Sequence, residues 1–285
     1  MLCFLEAKTD TDNLLALEGF KDWLTTTGFT YMYCYWSRKD DCKAYGNEGV
    51  IVFSKVKCEK VTYGIGDPTM DKQARAATIE FSDCIIMFTY NPQGGFAEES
   101  LAFRTKWELQ LSEHLQKTKQ DAAQKDKKLI WAGDLNVNPY DTDWSWKAFD
   151  RIAKRIPENT KPAGCRPEDQ AVYRKLISQI DGVNVAEHFN KPMGTCFQNE
   201  NYLMKNAGQR IDHVIAERSL LEENDKLRIT AFNTIQQFGA ARKGSSDHCP
   251  LYCRLERGKP EQRVLTTQVE TPPPTEDLCT LVLER

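Results

Sequence analysis

Apolar residues fall along this chain in short runs, separated by polar stretches and by a few segments of helical period. A short apolar run bounded by turn residues predicts a buried strand. Such runs are Leu2 to Leu5, Phe29 to Trp36, Val50 to Phe53, Ala77 to Ile79 and Ile85 to Phe88. Leu129 to Ala132, Arg210 to Ile215, Arg228 to Ile235 and Leu251 to Leu255 continue the series. Between them the period changes to that of a helix. Leu14, Leu15, Leu17, Phe20, Trp23 and Leu24 predict one helix, opened by Asp12 or Asn13 and stopped by Gly28. Leu101, Phe103, Trp107, Leu109, Leu111 and Leu115 form an apolar face over Glu98 to Gln120, with a solvated connection to Lys128. Trp144 to Ile156 and Pro167 to Ile180 predict two more helices, the second with Pro167 in its first turn. Phe189 to Gln209 has little periodicity and predicts a long surface loop. Strands alternating with helices predict an α/β fold.

The polar residues at the strand ends carry the chemistry. Leu129-Ile130-Trp131-Ala132 runs into Gly133, where the chain can turn, and then into Asp134-Leu135-Asn136-Val137. On an extended backbone Asp134 and Asn136 share one side, while Leu135 and Val137 point into the core. A carboxylate and a carboxamide at the carboxyl end of a buried strand stand where open sheets place ligand sites. Other polar residues end strands in the same way: Glu6, Tyr90, Asp212, and the pair Asp247-His248 before the last strand. Such a set suits phosphoester hydrolysis. Hard carboxylate oxygens hold a divalent cation that polarises a phosphate. A carboxylate can deprotonate water, and a histidine held by a second carboxylate can stabilise the charged transition state.

Composition narrows the choices. The chain has 285 residues, enough for one large domain with a sizeable core. A net charge of −3 rules out a global basic field, so any nucleic-acid contact needs a local patch. The 10 cysteines include no CxxC pair, and several sit in apolar runs, which predicts reduced core thiols in an intracellular compartment. The four histidines lie far from one another in sequence, which argues against a structural zinc site. No P-loop, G-x-S-x-G or H-E-x-x-H occurs, and no apolar run has the length of a membrane helix. Residues 1–257 are expected to form the domain. Beyond Gly258 the chain turns polar and carries Pro272-Pro273-Pro274, so 258–285 is expected to be a disordered tail.

The motifs, taken in order, resemble those of the exonuclease III-type apurinic/apyrimidinic (AP) endonucleases, within the endonuclease/exonuclease/phosphatase superfamily. They are Leu5-Glu6-Ala7-Lys8, Tyr90-Asn91-Pro92-Gln93, Phe103-Arg104-Thr105-Lys106-Trp107, Gly133-Asp134-Leu135-Asn136-Val137, Ala163 to Glu168, Arg210-Ile211-Asp212-His213 and Ser246-Asp247-His248-Cys249-Pro250. The resemblance implies a four-layer α/β sandwich, two facing mixed β-sheets flanked by helices. It implies hydrolysis of DNA backbone bonds 5′ to abasic sites with Mg²⁺, for which Mn²⁺ can substitute, together with trimming of 3′ ends. Tyr90, Asp134, Asn136, Asp212 and His248 match the catalytic set, and Glu6, Asp134, Asn136, Asp247 and His248 match the metal side. Phe197, Gln209 and Ile211 match the pocket that meets the abasic site, although Gln209, like Gln198, stands where the family commonly has Trp.

The resemblance implies a further strand ahead of Leu2 to Leu5, and this sequence is expected to begin after it, either as a fragment or truncated gene model or because that strand is absent. The implied partner is double-stranded DNA with abasic sites or 3′ ends, met by a monomer away from membranes. The implied place is the nucleus, with the mitochondrion as alternative. Other substrates within the superfamily, or a catalytically impaired DNA-binding homologue, are the competing readings.

Overall fold

The computed structural model describes residues 1–7, 11–37, 49–95, 97–144, 161–197, 200–222, 226–236, 246–258 and, for the backbone, 279–284. In chain order the strands are β1 (Leu2–Phe4), β2 (Tyr31–Trp36), β3 (Gly49–Ser54), β4 (Lys60–Tyr63), β5 (Ala76–Glu80), β6 (Cys84–Tyr90) and β7 (Lys128–Asp134). They continue with β8 (Gly182–Asn184), β9 (Asp212–Glu217), β10 (Leu227–Thr234), β11 (Leu251–Arg257) and β12 (Cys279–Glu284). The helices are α1 (Thr11–Ala16), α2 (Phe20–Thr27), α3 (Pro68–Asp71), α4 (Glu98–Gln124), α5 (Pro167–Gln179), α6 (Val185–His188) and α7 (Glu200–Met204).

Two six-stranded mixed sheets result, ordered β10-β11-β12-β1-β3-β2 and β4-β5-β6-β7-β9-β8. The expected α/β sandwich is therefore the observed one. Strand alternation builds it. On β6, Ile86 and Phe88 face the other sheet while Ile85 and Met87 face the helices; on β7, Ile130 and Ala132 divide from Leu129 and Trp131 in the same way. The inner set meets Cys3, Leu5, Val50, Val52, Leu251, Cys253 and Leu255 from the first sheet. The outer set meets Trp107, Leu111 and Leu115 of α4 and Tyr173 and Leu176 of α5.

Several elements differ from the sequence expectation. The first helix is two, broken at Gly19, whose backbone is left-handed at φ 76°. Gly28 is the expected stop, also left-handed, at φ 74°. The helix from Glu98 runs on to Gln124, past the expected solvated connection, because Ala122 finds a buried place. The loop 189–209 contains α7. The short strands β4 and β8 escape the apolar-run criterion: β4 has a mostly exposed pattern, and β8 is three residues long. The helix expected from Trp144 to Ile156 lies almost wholly outside the described residues.

The least anticipated strand is β12, from the segment expected to be a disordered tail. It lies inside the first sheet, parallel to β1 and antiparallel to β11. The edges of β1 and β11 that face each other are thus paired rather than bare.

The registers fix the ends of the sheets. In the second sheet β6 and β7 run parallel and finish together, with Tyr90 beside Asp134. The antiparallel β9 starts at the same rim, with Asp212 opposite Asp134. In the first sheet Phe4 at the end of β1 and Leu251 at the start of β11 flank the last residues of β12. Glu6 and the Asp247-His248 pair therefore share one rim.

Candidate active site

Asp134 closes β7 and is buried, 1% exposed. Gly133 was expected to turn the chain but lies within β7, at φ 147°, where a Cβ would sit 1.9 Å from the Thr89 carbonyl oxygen. Only glycine lets β6 and β7 approach so closely there. Asp134 and Asn136 come together, but not by strand alternation as expected. Asn136 has a left-handed backbone, φ 48°, and its amide N–H donates to Asp134 Oδ1 at 2.9 Å. This is an Asx turn, for which asparagine is well suited. Its Nδ2 donates to Asp134 Oδ2 at 3.3 Å and to the Asn91 carbonyl at 2.7 Å. Leu135 and Val137 enter the core as expected.

A buried arginine holds this turn. Arg104, on α4, donates from Nη1 to the carbonyls of Asn136, Pro92 and Gln93 at 2.8, 3.2 and 3.3 Å. Its Nε meets Glu108 at 2.8 Å. One turn away Trp107 donates from Nε1 to Asn91 Oδ1 at 3.2 Å. The Phe103–Trp107 motif therefore acts as a bracket between the loops that follow β6 and β7. Sequence reasoning had quoted the motif without assigning Arg104 a task.

The two sheets meet at His248. Its Nδ1 lies 2.7 Å from Asp212 Oδ2, and both side chains are buried. Carboxylate or nitrogen atoms of Asp134, Asp212 and His248 lie within 4.8 Å of one another. Burial would lower the histidine's pKa, but the Asp212 carboxylate and the Cys196 side chain outweigh it and hold the ring well above its ordinary value. Asp212 thus fixes the ring and favours its cationic form.

The clamp that seats His248 comes from the stretch expected to be a surface loop. Thr195 Oγ1 accepts the N–H groups of Ile211 and Asp212, both at 3.1 Å, while its carbonyl accepts Cys249 N–H at 2.7 Å. Cys196 bridges both Gln209 and His248, and Phe197 N–H donates to the Asp247 carbonyl at 2.8 Å. The side chains of Cys196 and His248 are hydrogen bonded to each other. A neighbouring hydroxyl and thiol in a loop, Thr195 and Cys196, give no signal above background in the sequence, so these two positions were missed.

Phe197, Gln209 and Ile211 are brought together along this clamp. Phe197 is fully buried against Cys249, with Tyr202 and Leu203 beside it. A Cβ on Gly208 would fall 2.6 Å from its ring, so the chain passes there only as glycine. Gln209 is partly buried and its Oε1 accepts from Asn138 Nδ2 at 3.3 Å. Ile211 is buried, 6% exposed.

Tyr90 is half-buried with the Arg75 guanidinium 4.6 Å from its ring centre. Asp247 is exposed beside His248. Glu6 is partly buried with a left-handed backbone, φ 50°, and belongs to neither group of converging donor atoms among the described residues. Gln198 lies outside the described residues.

No family model matches the chain. Individual proteins do. The chain is 27% identical over 257 residues to a DNA-(apurinic or apyrimidinic site) endonuclease of Dictyostelium discoideum, covering 88% of this chain and 61% of that protein. It is 28% identical over 227 residues to DNA repair nuclease APEX1 of Danio rerio, covering 78% and 64%. It therefore spans less than two thirds of the length of either relative. Its fold matches an AP endonuclease from Archaeoglobus fulgidus with a TM-score of 0.66 at 22% identity, over 88% of this chain and 86% of that one. Sequence and fold thus agree with the exonuclease III-type resemblance carried by the motifs.

Proposed function

We propose that the chain is a metal-dependent DNA phosphodiesterase that incises 5′ to abasic sites and also trims 3′ ends. The observation that carries this reading is the convergence of Asp134 and Asp212 from one sheet with His248 from the loop before β11. Residues from three separate parts of the sequence, Asp134, Asp212 and His248, then form one buried polar cluster at a shared rim.

Each residue has a role that its surroundings suit. Asp134, held by two donors of Asn136, takes the proton from the attacking water. Asn136 positions that carboxylate and the phosphate. Tyr90, next to Asp134 in the β6–β7 register, contacts the scissile phosphate. His248, kept cationic by Asp212, offers charge to the phosphate oxygens as negative charge builds in the transition state. Phe197, Gln209 and Ile211 shape the adjoining wall toward the abasic site.

The donor chemistry fits a hard divalent cation. Two buried carboxylates stand together with the Asn136 carboxamide, while Glu6 follows β1 and Asp247 precedes β11 on the facing rim. Mg²⁺, or Mn²⁺ in its place, would be held by oxygens of Glu6, Asp134, Asn136 and Asp247, with the cationic His248 beside it toward the phosphate rather than among its ligands, and would polarise the phosphate. The substrate is duplex DNA with abasic sites or 3′ ends, bound by a monomer, and the nucleus is the setting that goes with it.

The test is incision of a duplex with a single tetrahydrofuran abasic analogue, with Mg²⁺ and with EDTA, beside intact duplex and recessed 3′ ends. Mg²⁺-dependent cleavage 5′ to the analogue is the expected product. Binding without cleavage would favour a DNA-binding homologue, and cleavage of a non-DNA phosphoester alone would move the substrate elsewhere in the superfamily.

A further inference from the structure

We propose that Cys196, His248 and Asp247 form a three-donor site for a borderline-soft divalent cation, Zn²⁺ above all, separate in its preference from the oxygen-rich Mg²⁺ position. Sulfur, nitrogen and carboxylate donors of these residues lie within 4.8 Å of one another. Their convergence is built in rather than incidental. Cys196 and His248 face each other as a β-bridge pair, and the neighbouring Phe197 N–H to Asp247 carbonyl bond fixes the register.

The donor set decides the ion. Thiolate and imidazole favour zinc, whereas Mg²⁺ prefers oxygen donors alone. Bond lengths of about 2.3 Å to sulfur and about 2.0–2.2 Å to nitrogen and oxygen place tetrahedral donors roughly 3.4–3.6 Å apart. Cys196 and His248 are already hydrogen bonded side chain to side chain, so closing from a separation of at most 4.8 Å falls mainly to the exposed Asp247 side chain, by rotation. Asp212 at Nδ1 is the carboxylate partner that zinc-bound histidines commonly have, and it directs a metal to Nε2. On binding, Zn–S, Zn–N and Zn–O bonds to Cys196, His248 and Asp247 replace bonds from zinc to its hydration water, and the thiol proton and the Nε2 proton of the imidazolium leave to solvent. A water completes the coordination.

Occupation would take His248 out of its role at the phosphate. That consequence, unlike the site itself, rests on the proposed nuclease reading. Zinc would then inhibit where Mg²⁺ activates.

Co²⁺ is the probe, because a thiolate ligand gives it a near-ultraviolet charge-transfer band and four-coordination gives it strong visible bands. The intact wild-type chain should show both, Zn²⁺ should abolish them, and Mg²⁺ in large excess should not. Cys196→Ser, checked for folding by circular dichroism, should lose the charge-transfer band and bind Zn²⁺ at least tenfold more weakly in competition with a chromophoric chelator. The same band in Cys196→Ser, or no band in the wild type, would overturn the site. If the variant fails to fold, iodoacetamide labelling of wild type read by mass spectrometry decides. In mild urea, where the buried Cys196 opens to the reagent, Zn²⁺ should protect it selectively, and equal labelling with and without Zn²⁺ would sink the proposal. None of these measurements depends on nuclease activity, so a chain that binds Zn²⁺ in this way but cuts no DNA would refute only the proposed function.

Discussion

The two sheets are built to different standards. The second is buried on both faces: β5, β7 and β9 are buried along almost their whole length, with α4 and α5 packed outside. The first, among the described residues, is covered less evenly: β3 is buried throughout, whereas β10 and β11 alternate between buried and part-exposed positions. Helix α2 contributes no buried residue, β2 is half-buried throughout, and the outer contact is an aromatic cluster of Phe20, Trp23, Phe29 and Phe53. The first sheet is also drawn from both extremes of the sequence, with β12 between β1 and β11. Yet the candidate site needs both. The second sheet holds Tyr90, Asp134 and Asp212 on adjacent strand ends, and the first delivers His248 on the loop entering β11. The lesson is a division of labour. A rigid half fixes the carboxylates, and a looser half brings the cation to them through one short hydrogen bond.

The largest expected effects test whether the two halves act as a unit. Asp134→Asn should keep the fold and DNA binding but lower the incision rate by about 10²–10⁴-fold. His248→Ala should cost roughly 10²–10³-fold. If the halves act together, the double variant should lose far less than the product of the two factors. Full incision by Asp134→Asn, or strictly multiplicative losses, would separate the halves.

Deleting 259–285 should come next in size. It removes the strand that pairs with Leu2 to Phe4 on one side and with Leu251 to Leu255 on the other. Amide exchange should quicken in β1, β10 and β11 while β6, β7 and β9 keep their protection. Equal loss of protection in both sheets would show that they do not differ in independence.

The same division explains what could be read from the sequence. The central strands of the second sheet, β5, β6, β7 and β9, were legible because strands buried on both faces are apolar runs, while its edge strands β4 and β8 were not. Motif spacing carried Asp134, Asn136, Asp212 and His248 into one cluster. What escaped depends on partners remote in sequence. Arg104 reads as a surface charge until three carbonyls surround it, and Thr195 and Cys196 gain meaning only between Asp212 and Cys249. Cys279 to Glu284 follows a proline-rich polar stretch, so nothing local marked it as a strand inside a sheet. The left-handed Asn136 overrode strand alternation because its side chain could satisfy Asp134.

Two histidines sharpen the contrast. His248, at the junction, is held high, whereas the neighbouring His213, inside the second sheet, is pushed down to about 4 by burial and by the charge of Arg210. Its partners agree with a neutral ring: Asn184 Nδ2 donates to Nδ1 at 3.0 Å, and Nε2–H donates to the Val137 carbonyl at 2.9 Å. Above the ordinary histidine pKa of 6.5 both folded and unfolded states carry a neutral ring, so the contribution is complete. As pH falls from there toward about 4 the unfolded chain takes the proton first and stability is lost, by about 3 kcal/mol in all. Urea unfolding at a series of pH values, wild type against His213→Gln, isolates this share. Parallel curves for the two proteins would contradict it.

The smallest effect should come from the outer face of the first sheet. Trp23 is 37% exposed, and its ring lies 5.7 Å from those of Phe20 and Phe29 and 5.6 Å from Phe53. Trp131 on the outer face of the second sheet is fully buried and donates to Thr89 Oγ1 at 2.9 Å. Truncating a buried tryptophan to alanine costs about 3–5 kcal/mol, because a cavity remains that the packing cannot refill. Trp23→Ala leaves a surface notch that water fills, and forfeits mainly ring contacts worth about 0.5–1.5 kcal/mol each. Its neighbours can close on one another, so a net cost of about 1–2 kcal/mol is expected, with incision little changed. A cost near that of Trp131→Ala would mean that α2 braces the first sheet as firmly as α4 and α5 brace the second, and the contrast between the halves would rest on β12 alone.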